Sequence, residues 1–194
     1  ITKAALDSVG AQSIDDLIAQ RSAAARPLYE AAFSSTKPLN TPTIDRLVKN
    51  PLLQEGMKRG VSIIRNESDS SGLPMRLQDY GVTGFNAAGD PILGGVPTLR
   101  LLDAAKRGLD TILEAGDKSI RNQTTNKLTQ YGRSVEQLRN TLVKELDEVT
   151  KGNDGVSLYK KAREAWAGPS DVIEVLSNIT NKVERSRDAT DVTG

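Results

Sequence analysis

Asp103, Lys106, Arg107 and Asp110 stand at i, i+3, i+4 and i+7, so on a helix they share one face. A lysine beside carboxylates is one way to build a general base. The same spacing also makes a solvated salt-bridge ladder, and that is the simpler reading. Glu145, Asp147 and Glu148 offer the clustered oxygens a hard divalent cation wants. Residues two apart diverge on a helix, however, and nothing upstream completes an EF-hand or a four-carboxylate bundle site. Asp79 and Asp90 flank a predicted hairpin and could pair as glycosidase carboxylates. Aspartate is equally a turn residue, and the nearby aromatics are Tyr80 and Phe85. Gly94-Gly95 matches neither a P-loop nor a dinucleotide-binding fingerprint. Tyr159 and Trp166, seven residues apart on one helix face, could anchor a partner, but core packing explains them more simply. Asn66, Asn122 and Asn178 head Asn-x-Ser/Thr sequons, which matter only in a secreted eukaryotic protein.

Composition narrows the chemistry further. The 194 residues include no Cys and no His. Disulfides, thiolate nucleophiles, His-ligated zinc and serine–histidine catalysis are therefore excluded within this chain. Carboxylate, Lys, Tyr or Ser–Lys chemistry remains. The 26 basic residues balance 25 acidic ones, and residues 1–97 carry ten of each, so no basic arm or stripe marks a nucleic-acid footprint. Seven aromatics in the whole chain are poor material for base stacking and imply an aliphatic, alanine-based core. No apolar run approaches the roughly 18 residues a membrane span needs. The start at Ile1-Thr2-Lys3 has neither a signal-peptide pattern nor an initiator Met, and the chain reads as a piece of a longer polypeptide.

The elements that would position these residues are mostly helices. Ser13 and Asp16 resemble a capping box opening a stripe of Ile14, Leu17, Ile18, Ala24, Ala25, Leu28 and Ala32, with a kink or a new helix expected near Arg26 because Pro27 removes a hydrogen bond. Thr41-Pro42 and Asn50-Pro51 each read as N-cap followed by a first-turn proline. Behind them Ile44, Leu47 and Val48, then Leu53, Met57, Val61 and Ile64, point inward. Gly56 and Gly60 beside the second stripe suggest the close approach of another helix. Residues 66–97 lose helical period: Leu77–Phe85 reads as a strand, turned back by Ala88-Gly89-Asp90-Pro91 through Ile92 and Leu93. Thr98 caps a helix burying Leu99, Leu102, Ala105, Leu109, Ile112 and Leu113, with Gly116 at its end. Leu128, Tyr131, Val135, Leu138, Leu142, Leu146 and Val149 predict a long amphipathic helix that stops at Gly152. Leu158, Ala162 and Trp166 mark a short helix broken at Gly168-Pro169. A last helix, capped by Ser170 or Asp171, would bury Val172 or Ile173, Leu176, Ile179 and Val183.

Two stretches carry a family pattern. Val96-Pro97-Thr98-Leu99-Arg100, with Leu102-Asp103 and Lys106-Arg107-Gly108-Leu109-Asp110, is one. Leu138-Arg139, Leu142 and Leu146-Asp147, followed by Tyr159, Ala162-Arg163 and Ala165-Trp166-Ala167-Gly168-Pro169-Ser170, is the other. Together they resemble a helical segment of large proteins encoded by bacterial prophages and related elements. The order of Arg21–Tyr29, Pro42-Thr43-Ile44 and Asn50-Pro51 fits the same pattern, which covers most of residues 13–176. The resemblance brings no catalytic motif; it implies a virion or prophage structural role within a longer polypeptide.

The expectation is a mainly α, multi-helix bundle with one long amphipathic helix and a small Gly/Pro-rich hairpin insert at 68–97. It is read as one domain over 1–194 with a frayed tail at 186–194. The expected function is non-catalytic, structural or protein-interacting, in the bacterial cytoplasm or a virion. No catalytic, cofactor or metal residue is assigned, and no nucleic acid or membrane span is expected. Tyr80, Phe85, Lys106 and Arg107 are the candidate interaction surface, toward other parts of the same polypeptide or virion components. The rival readings are a partner-binding module of a translocated effector or toxin-associated protein, and a carboxylate-dependent peptidoglycan-acting enzyme.

Overall fold

The computed structural model describes residues 3–35, 39–72 and 74–167, with side chains from residue 14 onward. The helix expected after Gly168-Pro169, the third sequon and the polar tail lie outside the described residues. The fold is mainly helical with one small two-stranded antiparallel sheet. It divides into two compact units, Ser35–Val156 and the pair Ile1–Ser34 with Ser157–Gly194.

Within the paired unit, α1 runs unbroken from Lys3 to Phe33. It starts ten residues before Ser13 and continues through Pro27, where a kink or fresh start was expected. Proline costs the helix one hydrogen bond and a clash. Ala23-Ala24-Ala25-Arg26 before it and Leu28 after it are strong helix formers, and they carry the helix across. Of the expected stripe, Ala25 and Ala32 are buried, Ile14, Leu17 and Leu28 are half-buried, and Ile18 and Ala24 are exposed. A second helix covers residues 158–167, here α6. Tyr159 is fully buried, its ring edge-on to Tyr29 at 6.2 Å, and Tyr29 in turn lies 5.7 Å from Phe33. Trp166 departs from the core-packing expectation: it is 41% exposed, with the Arg21 guanidinium 4.1 Å above its ring.

The unit Ser35–Val156 is built around α4 (Leu99–Glu114), flanked by α3 (Pro51–Ser71) and α5 (Gln130–Val149), with the short α2 (Pro42–Val48) against α3 and α5. The caps fall where the sequence placed them. The Thr41 hydroxyl accepts from Ile44 N–H, Asn50 Oδ1 from Leu52 N–H and the Thr98 hydroxyl from Leu101 N–H. Of the expected inward residues, Ile44, Leu47, Leu53, Met57, Val61, Leu99, Leu102, Ala105, Leu109, Ile112, Val135, Leu138, Leu142 and Leu146 are buried, Val48, Ile64, Leu113, Leu128 and Val149 are half-buried, and Tyr131 is exposed. Leu101, Ala104 and Gly108 are buried as well. A helix with neighbours on two sides buries a wider arc than the single stripe its spacing suggests.

Glycines set how closely α3 and α4 approach. A Cβ on Gly60 would sit 1.9 Å from the Ala104 carbonyl oxygen, one on Gly108 2.0 Å from that of Gly56, and one on Gly56 2.9 Å from Leu109 Cγ. At Gly60 and Gly108 backbone meets backbone, which only glycine permits. The close helix approach expected at Gly56 and Gly60 is therefore present.

The segment read as one strand from Leu77 is a turn of 3-10 helix, Leu77–Tyr80, closed by Gly81 at φ +68°, and then β1 (Val82–Phe85). β2 (Pro91–Leu93) pairs with it antiparallel, Val82 opposite Leu93 and Phe85 opposite Pro91, with a bulge between Val82 and Gly84. The last helix of the unit begins at Gln130, later than Leu128. Leu128 instead bridges Arg121, and Thr129 is the N-cap, accepting from Gly132 N–H. A Cβ on Gly132 would lie 2.4 Å from the Ile120 carbonyl oxygen, so this glycine lets the 117–129 loop lie on the first turn. At the far end the helix stops at Val149, earlier than Gly152, and the buried Thr150 hydroxyl donates to Leu146 O.

Candidate functional site

The polar side chains of α4 that could do chemistry point to two different neighbours. Asp110 accepts from Lys106 Nζ at 2.7 Å, one turn back, and from Arg139 Nε on α5 at 2.9 Å. All three are about three-quarters buried or nearly so. Arg107 turns the other way and grips Glu67 of α3 with both terminal nitrogens, Nη1 at 3.2 Å from Oε2 and Nη2 on Oε1. The expected ladder along one helix is thus only partly internal: α4 is braced to α5 by Asp110 and to α3 by Arg107.

The 3-10 turn that carries Tyr80 packs against α4, and Tyr80 feels the Arg107 charge. Burial pushes the Tyr80 phenol above the ordinary tyrosine value, against the guanidinium charges of Arg100 and Arg107, which favour the phenolate. Burial likewise opposes the charge on Arg107. The hydrogen bond and attraction from Glu67, with Asp103 and Tyr80 behind them, outweigh it and hold the guanidinium above its ordinary value.

Of the four residues expected to form one surface, the structure therefore relates Tyr80 to Arg107. It sends Lys106 to the α5 side through Asp110. Phe85 lies on β1 beneath Arg65 of α3, whose guanidinium is 5.1 Å from the ring. Lys58, also on α3, donates to Ala88 O in the hairpin turn. The hairpin is thus docked on α3 by two cations. Ile92 on β2 and Val96 just after it, 47% and 49% exposed, are apolar residues that the candidate surface did not include. β2 is short and opens with proline, so no alternating strand pattern marked Ile92.

Three of the five carboxylates considered for metal or glycosidase chemistry are engaged separately. Glu145 accepts from the Thr41 hydroxyl, Glu148 pairs with Lys151, and Asp90 closes the hairpin turn by accepting from Asn86 Nδ2 while its own N–H donates to Asn86 Oδ1. Among the described residues no group of three Asp or Glu side chains is placed to hold a metal ion, and no helix is long and apolar enough to cross a membrane. In the loop before α5, exposed Asp117 accepts from the Ser119 hydroxyl, Ser119 N–H and Ile120 N–H, and the Ser119 hydroxyl above all lowers its pKa below the ordinary aspartate value.

Comparison of the chain with protein-family models, with curated proteins and with solved structures gives no match in any of the three.

Proposed function

We propose that this chain is a non-catalytic structural or protein-interaction domain of a prophage-type protein, acting on protein partners rather than nucleic acid. One observation carries the reading: Asp110 and Arg107, the α4 side chains best suited to chemistry, are spent as braces to α5 and α3. The resemblance of the α4, α5 and α6 sequences to a prophage-encoded helical segment supports the phage-type assignment. The balance of 26 basic and 25 acidic residues supports a protein partner, because a phosphate-tracking surface needs an excess of Lys and Arg. Ile92 on the docked hairpin and Val96 just after it are among the exposed apolar groups and are the ones we take as offered for contact.

The test is particle composition. Particles banded from an induced culture of the encoding strain should contain the chain in fixed ratio to the major particle proteins. An Ile92→Glu, Val96→Glu double variant, folded by circular dichroism, should be depleted from them. A chain found only outside the particles would contradict the proposal. So would a hydrolase activity of the purified chain that a single carboxylate substitution abolishes.

A further inference from the structure

We infer that residues 35–156 are a self-closing module inserted in the chain, its entry and exit segments pinned to each other by Thr41 and Glu145. The unit it defines is continuous in sequence, whereas the other unit is drawn from both sides of it. Each end of the module is tied into the module itself. On entry, Thr41 caps α2. On exit, buried Thr150 bonds to Leu146 O, and Gly152 N–H donates to Val156 O, closing a turn braced by Asp154. Between the ends, the Thr41 hydroxyl donates to Glu145 Oε1 across 104 residues of sequence, and α2 packs on α5. A chain that enters and leaves at one pinned place closes its own core, and the connections just outside it are where a protease cuts first.

Limited proteolysis of the full chain with a broad-specificity protease, read by intact mass, tests this. A resistant fragment should accumulate whose ends fall near 35–41 and 150–157. Glu145→Leu removes the acceptor but leaves the Thr41 cap intact. It should speed trimming of the fragment's N-terminal end into 42–50 by about threefold or more, while Glu145→Gln, which keeps an acceptor, should resemble the wild type. First cuts inside α3, α4 or α5, or loss of the whole chain with no intermediate fragment, overturn the module. Trimming unchanged in the leucine variant overturns the pin.

Discussion

Gly60 faces the Ala104 carbonyl so closely that a methyl group on its Cα would lie 1.9 Å from the oxygen. No side-chain rotation relieves that contact, because both partners are backbone. The α3–α4 spacing is therefore fixed by hydrogen atoms at Gly56, Gly60 and Gly108, and the braces from α4 are built on that spacing.

Gly60→Ala and Gly108→Ala should each destabilise the protein by about 2 kcal/mol or more, the scale of overpacking a close-packed core. Alanine's helix propensity would by itself add about 1 kcal/mol of stability, so a net loss shows that the clash wins. Gly84→Ala, where a Cβ meets nothing within 4 Å, should change stability by less than about 0.5 kcal/mol. Denaturant midpoints at constant slope measure all three.

The Arg107–Glu67 brace is more exposed than the Asp110 group, its carboxylate 58% accessible. Glu67→Ala should cost no more than about 1 kcal/mol at low ionic strength, and most of that should vanish in 1 M salt. A cost that salt leaves untouched would mean that packing of the side chains, rather than charge, is what was lost.

Asp117 has a folded pKa below its ordinary value of 3.8. A depressed carboxylate binds fewer protons in the folded state, so its contribution to stability is complete above the ordinary value and is lost as pH falls through the folded one. Carboxyl carbon NMR titration should place the Asp117 midpoint below 3.8 in the wild type and higher in Ser119→Ala, whose hydroxyl is the chief cause. An unchanged midpoint would assign the depression to the backbone amides and the Arg59 charge.

Thr129 does two things at once: its oxygen accepts from Gly132 N–H and its hydroxyl donates to the carbonyls of Ser119 and Ile120. Thr129→Ala should cost about 1–2 kcal/mol, at the upper end for an N-cap, because the 117–129 loop is released with the helix start. Thr129→Ser should recover most of it. Hydrogen exchange at Ile120 and Gly132 should accelerate together in the alanine variant.

Much of the fold was legible in short-range chemistry. Thr41, Asn50 and Thr98 cap their helices because a hydroxyl or amide oxygen just before a first turn has one obvious use. The stripes of α3, α4 and α5 follow from helical spacing alone. What was not legible depends on neighbours. Leu101 and Ala104 are buried because α4 is sandwiched, which its own sequence does not say. Leu128 looked helical by spacing, yet Thr129 and Gly132 were the signal for a start at Gln130. Pro27 failed as a break because alanines carried α1 past it. Of the candidate surface, the sequence offered Lys106 and Arg107 as neighbours. One residue of helical rotation sends them to different partners, Asp110 and Glu67, and only the packing of α3 and α5 around α4 decides which.

The claim that the charged face of α4 holds helices together is tested most directly by a double-mutant cycle on Asp110 and Arg139, read as unfolding free energy. Asp110→Ala and Arg139→Ala should each destabilise the protein, and their double variant should lose less than the two costs added, with a coupling of about 0.5–1 kcal/mol. Single variants as stable as the wild type or more so, with no coupling, would contradict the claim, because polar groups kept for chemistry are commonly replaced at no cost or with a gain in stability.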